Sequence, residues 1–179
     1  GWVVTATATL EPLGATSELS ACEPVVEGSV GFALCAGDGS AGPCPCGNAS
    51  GQGSGQGCLH SGGTGAVLAG TGSASVAADD LVLRVTQGPP GKVALVIQGA
   101  AQVAVPFLDG ILCAGAPIKR LEAVVLDGSG TGASTAAIAA LGGAAPGATR
   151  FYQAWMRDKQ GPCGSGGNLS AALRVDWGQ

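Results

Sequence analysis

Residues 2–10, WVVTATATL, alternate without interruption: Trp2, Val4, Ala6, Ala8 and Leu10 fall on one face, Val3, Thr5, Thr7 and Thr9 on the other. A period of two, rich in β-branched residues, is the pattern of a half-buried strand. The far end repeats it in LSAALRVDW, where Leu169, Ala171, Leu173, Val175 and Trp177 face inward and Ser170, Arg174 and Asp176 outward. Between these ends, strands are predicted over 65–70, 80–87, 92–99, 102–107, 118–126 and 149–157. Clusters such as GPPGK and LDGSGTG separate them and punctuate as turns. TRFYQAWMRD places Phe151, Gln153 and Trp155 on one face and Tyr152, Ala154 and Met156 on the other. Apolar on both sides, it reads as a central strand with Trp155 buried. ASTAAIAALGG, 133–143, has the alanine content of a helix but is read as a further strand and loop. The pattern predicts an all-β fold, a two-sheet β-sandwich of jelly-roll-like or immunoglobulin-like outline.

The stretch from Cys35 to Cys58, CAGDGSAGPCPCGNASGQGSGQGC, breaks the pattern. It holds four of the seven cysteines and no residue able to found a core. Such a segment buries too little to offset its chain entropy and needs covalent closure. A metal site is a poor alternative, since the only close pair is Cys44-Pro45-Cys46 and the only histidine is His60. Disulfides formed in an oxidising compartment are therefore expected. Sequence-adjacent pairing, Cys35–Cys44 and Cys46–Cys58, would make the segment a stapled irregular cap at one end of the sandwich. Cys113 and Cys163, which flank core-like segments, are expected to pair with each other, and Cys22 makes the count odd.

Composition removes several partner classes. Charged residues are 11% of the chain, the formal net charge is −4, and the basic residues are spread along the sequence without a cluster. No basic patch is expected to meet nucleic acid or an anionic membrane. No run of 18 apolar residues is present to cross a bilayer. The opening at Gly1 carries no signal-peptide pattern and is expected to be a processed end.

Taken in order, FALCAGDGSAGPCPCGNAS, GQGCLHSGGTGAVLAGTGSASVAADDLVL, VPFLDGILCAG, RFYQAWMRD and CGSGGNLSAALRV resemble a secreted domain of large extracellular proteins of planctomycete-type and myxobacterial-type bacteria. The resemblance covers about residues 32–177. It implies secretion, an all-β disulfide-bearing module and no established catalytic residue. Cys35, Cys44, Cys46, Cys58, Cys113 and Cys163 match its pattern, whereas Cys22 lies upstream. Two parts are thus expected: residues 1–31 as a strand and tether, and 32–179 as the extracellular sandwich domain. The sequons at Asn48 and Asn168 are expected to be turn-bonding asparagines rather than glycan acceptors.

Candidate chemistry is sparse. A catalytic triad would have to use His60, which sits in the glycine-rich stretch, and there is no G-x-S-x-G elbow. Carboxylates at Asp38, Asp79, Asp80, Asp109 and Asp127 lie in turn-like contexts; Asp79 and Asp80 are the best calcium candidates, although plain turns account for them. With aromatics at 4%, sugar-stacking surface is scarce and would require an exposed Trp2, Tyr152 or Trp177. The expectation is a non-enzymatic, secreted structural or adhesive subunit without an obligatory cofactor. The strand carrying Trp2, Val4, Ala6, Ala8 and Leu10 either pairs in its own sheet or is donated to another copy, with Cys22 placed to lock the joint. The alternative is an accessory module that binds a surface glycan.

Overall fold

The computed structural model describes residues 28–179 in full. Of the preceding segment it describes the backbone of four two-residue strands: β1 (Val3–Val4), β2 (Thr9–Leu10), β3 (Ala15–Thr16) and β4 (Glu23–Pro24). β1 pairs antiparallel with β4 and β2 with β3, so these strands pair within the N-terminal segment and join neither sheet of the body. Of the strand expected over 2–10, Val3–Val4 and Thr9–Leu10 are described, both as strand. Trp2, Ala6, Ala8 and Cys22 lie outside the described residues.

The body is all-β, as the alternation predicts. The smaller sheet runs β11–β8–β7–β5, built from β5 (Ser29–Val30), β7 (Val67–Thr71), β8 (Val82–Thr86) and β11 (Gly132–Ala133). The larger runs β10–β9–β12–β14–β6, from β6 (Phe32–Leu34), β9 (Val93–Phe107), β10 (Gly110–Val125), β12 (Thr149–Asp158) and β14 (Ala172–Asp176). β13 (Gly166–Leu169) pairs beside β12. All pairings between these strands are antiparallel. The chain steps from the smaller sheet to the larger at Gly31, which has φ +88°; a Cβ there would stand 2.5 Å from the Arg174 carbonyl oxygen. Any other residue would push the step between β5 and β6 away from β14.

The core lies between the sheets. Leu68, Leu81, Leu83 and Val85 meet Val96, Tyr152, Ala154, Met156, Leu173, Val175 and Trp177, all buried. Burying each Leu or Val contributes about 1.5–3 kcal/mol. One polar chain crosses this layer. Trp177 Nε1 donates to Tyr152 Oη (3.0 Å), Tyr152 Oη donates to Gln98 Oε1 (3.0 Å), and Gln98 Nε2 donates to the Gly142 carbonyl (2.9 Å). Burial pushes the Tyr152 phenol up to about 12, so it stays a donor at any physiological pH.

Three sequence readings need correction. The segment 133–143 forms a short helix, α1 (Ile138–Gly142), not a strand. Its alanines favour helix, Ile138 and Ala139 are buried, and the Asp79 carboxylate accepts the Ala139 (2.6 Å) and Ala140 (2.9 Å) amides at its start. The strands foreseen at 92–99 and 102–107 are one, β9, and β10 begins eight residues earlier than expected. Together they make a long hairpin, interrupted by register shifts on either side of Gly115. Its distal half lies over the outer face of the larger sheet, where a Cβ on Gly99 would meet Ala114 and Gly115 backbone atoms at about 2.5 Å.

The disulfide scheme is the third correction. Cys35 is joined to Cys113 (Cα–Cα 6.4 Å), Cys44 to Cys58 (5.8 Å) and Cys46 to Cys163 (5.5 Å). The cap is irregular, as expected, but it lies against the folded hairpin and the β12–β13 connection. Cys35 and Cys46 therefore meet Cys113 and Cys163, and only Cys44–Cys58 closes within the cap. Asn48 and Asn168 hold the same junction: Asn48 Nδ2 donates to the Leu59 and Asp109 carbonyls (2.8 Å each) and Asn168 Nδ2 to the Leu59 carbonyl (3.0 Å). Both are buried, so a glycan on either would displace these bonds.

Within the cap, Asp38 gathers the Ser40 hydroxyl (2.6 Å), the Ser40 amide (3.0 Å) and the Gly53 amide (3.1 Å). The Ser40 hydroxyl bond, then the two amides, hold its carboxyl down at about 2. A carboxyl depressed in the folded state stabilises above its ordinary range, and that contribution disappears as pH falls through 2. The Asp38 carbon shift in a pH titration should show a midpoint near 2, with Gly53 amide protection lost over the same range. An ordinary carboxylate midpoint with protection unchanged would contradict this arrangement.

Candidate functional site

Side chains suited to acid–base or nucleophilic chemistry are engaged in holding the frame. His60 is buried; Nδ1 accepts the Gly62 amide (2.9 Å), which leaves the proton on Nε2 to donate to the Gln87 carbonyl (2.9 Å). Asp109, fully buried, accepts the Cys163 and Ser165 amides (3.2 Å each) and the Ser165 hydroxyl. Asp158 is also buried and accepts the Ser61 amide (2.8 Å). Cys46, Asp109 and Cys163 come close enough to suggest a metal triad, but the two sulfurs are bonded to each other and the carboxylate is occupied by amides. The calcium candidates diverge. Asp79 caps α1, while Asp80 accepts the Ser73 hydroxyl (2.5 Å) and amide (3.1 Å), bonds that lower its carboxyl below the ordinary range.

The feature that faces solvent is a trough on the outer side of the larger sheet. Apolar residues that alternate with the core positions of β9 and β12 emerge here: Leu95, Ile97 and Trp155 form its floor. The folded hairpin supplies the wall, Phe107, Leu112 and Ile118. Phe107 meets Trp155 edge to face, with ring centroids 6.3 Å apart and planes at 74°. Phe107 is 40% and Ile118 44% exposed, unusual for large apolar side chains on a sheet that has covered its other face so fully. Trp155 Nε1 is buried beside Gly167, with no hydrogen-bond partner among the described residues.

The trough consists of three adjoining clefts. An apolar one of about 170 Å³ shares Trp155 and Arg120 with a second of about 340 Å³, lined also by Val93, Ala123 and Arg157. Arg157 continues into a third, about 350 Å³, with Lys92 and Lys159. Four of the eight basic residues of the chain thus border one surface, although they are scattered in sequence. None of the four makes an ion pair or side-chain hydrogen bond among the described residues, where the one ion pair is Arg174–Asp176. The only carboxylate in these linings, Asp158, is turned to Ser61.

Of the three aromatic residues that sugar stacking would require to be exposed, two are enclosed. Tyr152 and Trp177 are sealed in the core at 0% and 2% exposure, and Trp2 lies outside the described residues. Trp155, predicted buried, is half-buried, with one side toward the trough. The predicted assembly residues Val4 and Leu10 pair with Glu23 and Ala15. Sequence reasoning missed Phe107, Ile118, Arg120 and Arg157; the available signal was the alternation of Val103, Val105 and Phe107 in a strand that had no place left in the core.

Fold and site together define a disulfide-bridged, all-β two-sheet sandwich with an apolar, cation-rimmed trough on its outer face. Compared with known proteins, the chain matches no family model, no curated protein and no solved structure. No helix among the described residues is long and apolar enough to cross a membrane, and three disulfides are compatible with an oxidising, extracellular environment.

Proposed function

We propose that the chain is a secreted, non-enzymatic structural or adhesive module that assembles with copies of itself. The observation that carries this reading is the contrast between its two kinds of surface. Its histidine and buried carboxylates are spent on backbone amides and carbonyls, whereas three of the seven exposed large apolar side chains among the described residues, Val93, Phe107 and Ile118, gather with basic side chains in one trough. That is the composition of a docking surface, an apolar centre with a charged rim, rather than of a reaction centre. The resemblance to secreted bacterial domains points the same way. Glycan binding is the weaker reading, because two of the three aromatic platforms it calls for are in the core.

The test is the size of the full-length, oxidised chain by sedimentation velocity across a wide concentration range, with negative-stain microscopy of the largest species. Particles well above the 17.1 kDa chain, growing with concentration, are expected. A monomer at every concentration, retained instead on immobilised polysaccharide, would favour the glycan-binding alternative.

A further inference from the structure

The trough asks for an occupant that is apolar, extended and acidic, and the chain itself carries one. Residues 1–27 contain Glu11, Glu18, Glu23 and Glu27 and no lysine or arginine, so this segment accounts for the whole formal charge of −4. The eight acidic and eight basic residues of 28–179 cancel, and half of those basic residues border the trough. The same segment carries the alternating apolar run Trp2, Val4, Ala6, Ala8, Leu10. On the strength of the self-assembly reading, we infer that the trough lined by Ile97, Phe107, Ile118, Trp155, Arg120 and Arg157 is the acceptor for residues 1–27 of a second copy.

The connectivity favours a second copy over the same chain. The segment enters the body at β5, the edge strand of the smaller sheet. The trough lies on the face of the larger sheet turned away from the smaller one, next to its opposite edge, β10. Pairing of β1 with β4 ties Val3 and Val4 to Glu23 and Pro24, within a few residues of Gly28, so that in sequence they stay close to the point where the segment enters the body at β5 rather than to the β10 edge beside the trough. A two-stranded ribbon alone is at best marginally stable in water and gains by lying on an apolar surface. Because donor and acceptor are different surfaces, each copy can give and receive, and the contact propagates head to tail.

The test uses the full oxidised chain in three forms, compared by sedimentation velocity at low and high salt. The first is the unaltered protein, the second carries Arg120→Glu and Arg157→Glu, and the third carries lysine in place of Glu11, Glu18, Glu23 and Glu27. The unaltered chain should associate, less tightly as salt rises. Each variant alone should associate on the order of 100-fold more weakly at low salt, since like charges then face each other across the joint. Mixing the two variants should restore association, which also shows that both are folded. An unaltered chain that stays monomeric would overturn both this inference and the assembly reading. Association that persists unchanged in the Arg120→Glu/Arg157→Glu variant would overturn the acceptor site alone. Variants that remain monomeric after mixing would likewise refute the exchange between copies.

Discussion

Replacing Cys46 and Cys163 together by serine is expected to lower the stability of the oxidised protein by about 4 kcal/mol, against about 3 kcal/mol for Cys44 with Cys58. The difference follows from connectivity. The Cys44–Cys58 bridge spans 14 residues, whereas Cys46–Cys163 spans 117 and Cys35–Cys113 spans 78. With the other bridges intact, the shortest path between Cys46 and Cys163 runs through Cys35–Cys113, so the loop it closes is about 60 residues, not the full span. Native packing adds to the loss. Asp109 accepts the Cys163 amide, and slackening the 158–165 connection would leave a fully buried carboxylate short of donors. Guanidinium denaturation of the two double-serine proteins measures the difference, and non-reducing peptide mapping should recover the three pairs. Equal stability of the two variants would mean that the long loop is not closed as described.

The alternation of the sequence carried most of the fold because both sheets bury one face against a common core. β7, β8, β12 and β14 each lie within a few residues of their predicted positions for this reason. What alternation cannot register is a strand that serves two layers. β9 is one strand from Val93 to Phe107, yet its first half packs in the sandwich and its second lies over the outside; the sequence shows only two apolar runs flanking GAAQ. The disulfide pairs were illegible for the same reason. Cys35 and Cys113 meet only because the hairpin folds back, an event decided by close backbone approach at Gly99 and Gly115 rather than by any pattern near the cysteines. The trough was harder still to foresee. Lys92, Arg120, Arg157 and Lys159 are unremarkable along the chain and become a surface only when β9, β10 and β12 lie side by side. Asp79 was out of reach for a related reason: locally it reads as one of a turn-like acidic pair, and nothing near it shows that its carboxylate reaches α1 some 60 residues away.

Gln153→Leu should be the most damaging single substitution outside the cysteines, costing at least about 4 kcal/mol. Its carboxamide is fully buried between the larger sheet and the folded hairpin and uses every bond it has. Oε1 accepts the Cys113 (2.8 Å) and Ala114 (3.2 Å) amides, and Nε2 donates to the Ile111 (2.8 Å) and Ser170 (2.9 Å) carbonyls. Leucine has similar volume but satisfies none of these four groups, and each buried backbone group left without a partner costs about 1–3 kcal/mol. The gain from burying leucine offsets only part of that sum. Loss should be directional. Tyr152 and Ala154 face the core between the sheets, so their packing is untouched, while the hairpin loses its polar anchor and is held mainly by Cys35–Cys113. Amide exchange at Cys113 and Ala114 should therefore accelerate by far more than at Val96. Because Leu112 forms a wall of the trough, self-association should weaken in the same variant even where the sandwich remains folded. Exchange that rises equally at all three amides would show that the hairpin and the sandwich open as one unit, and that Gln153 is not what holds the hairpin against the outer face.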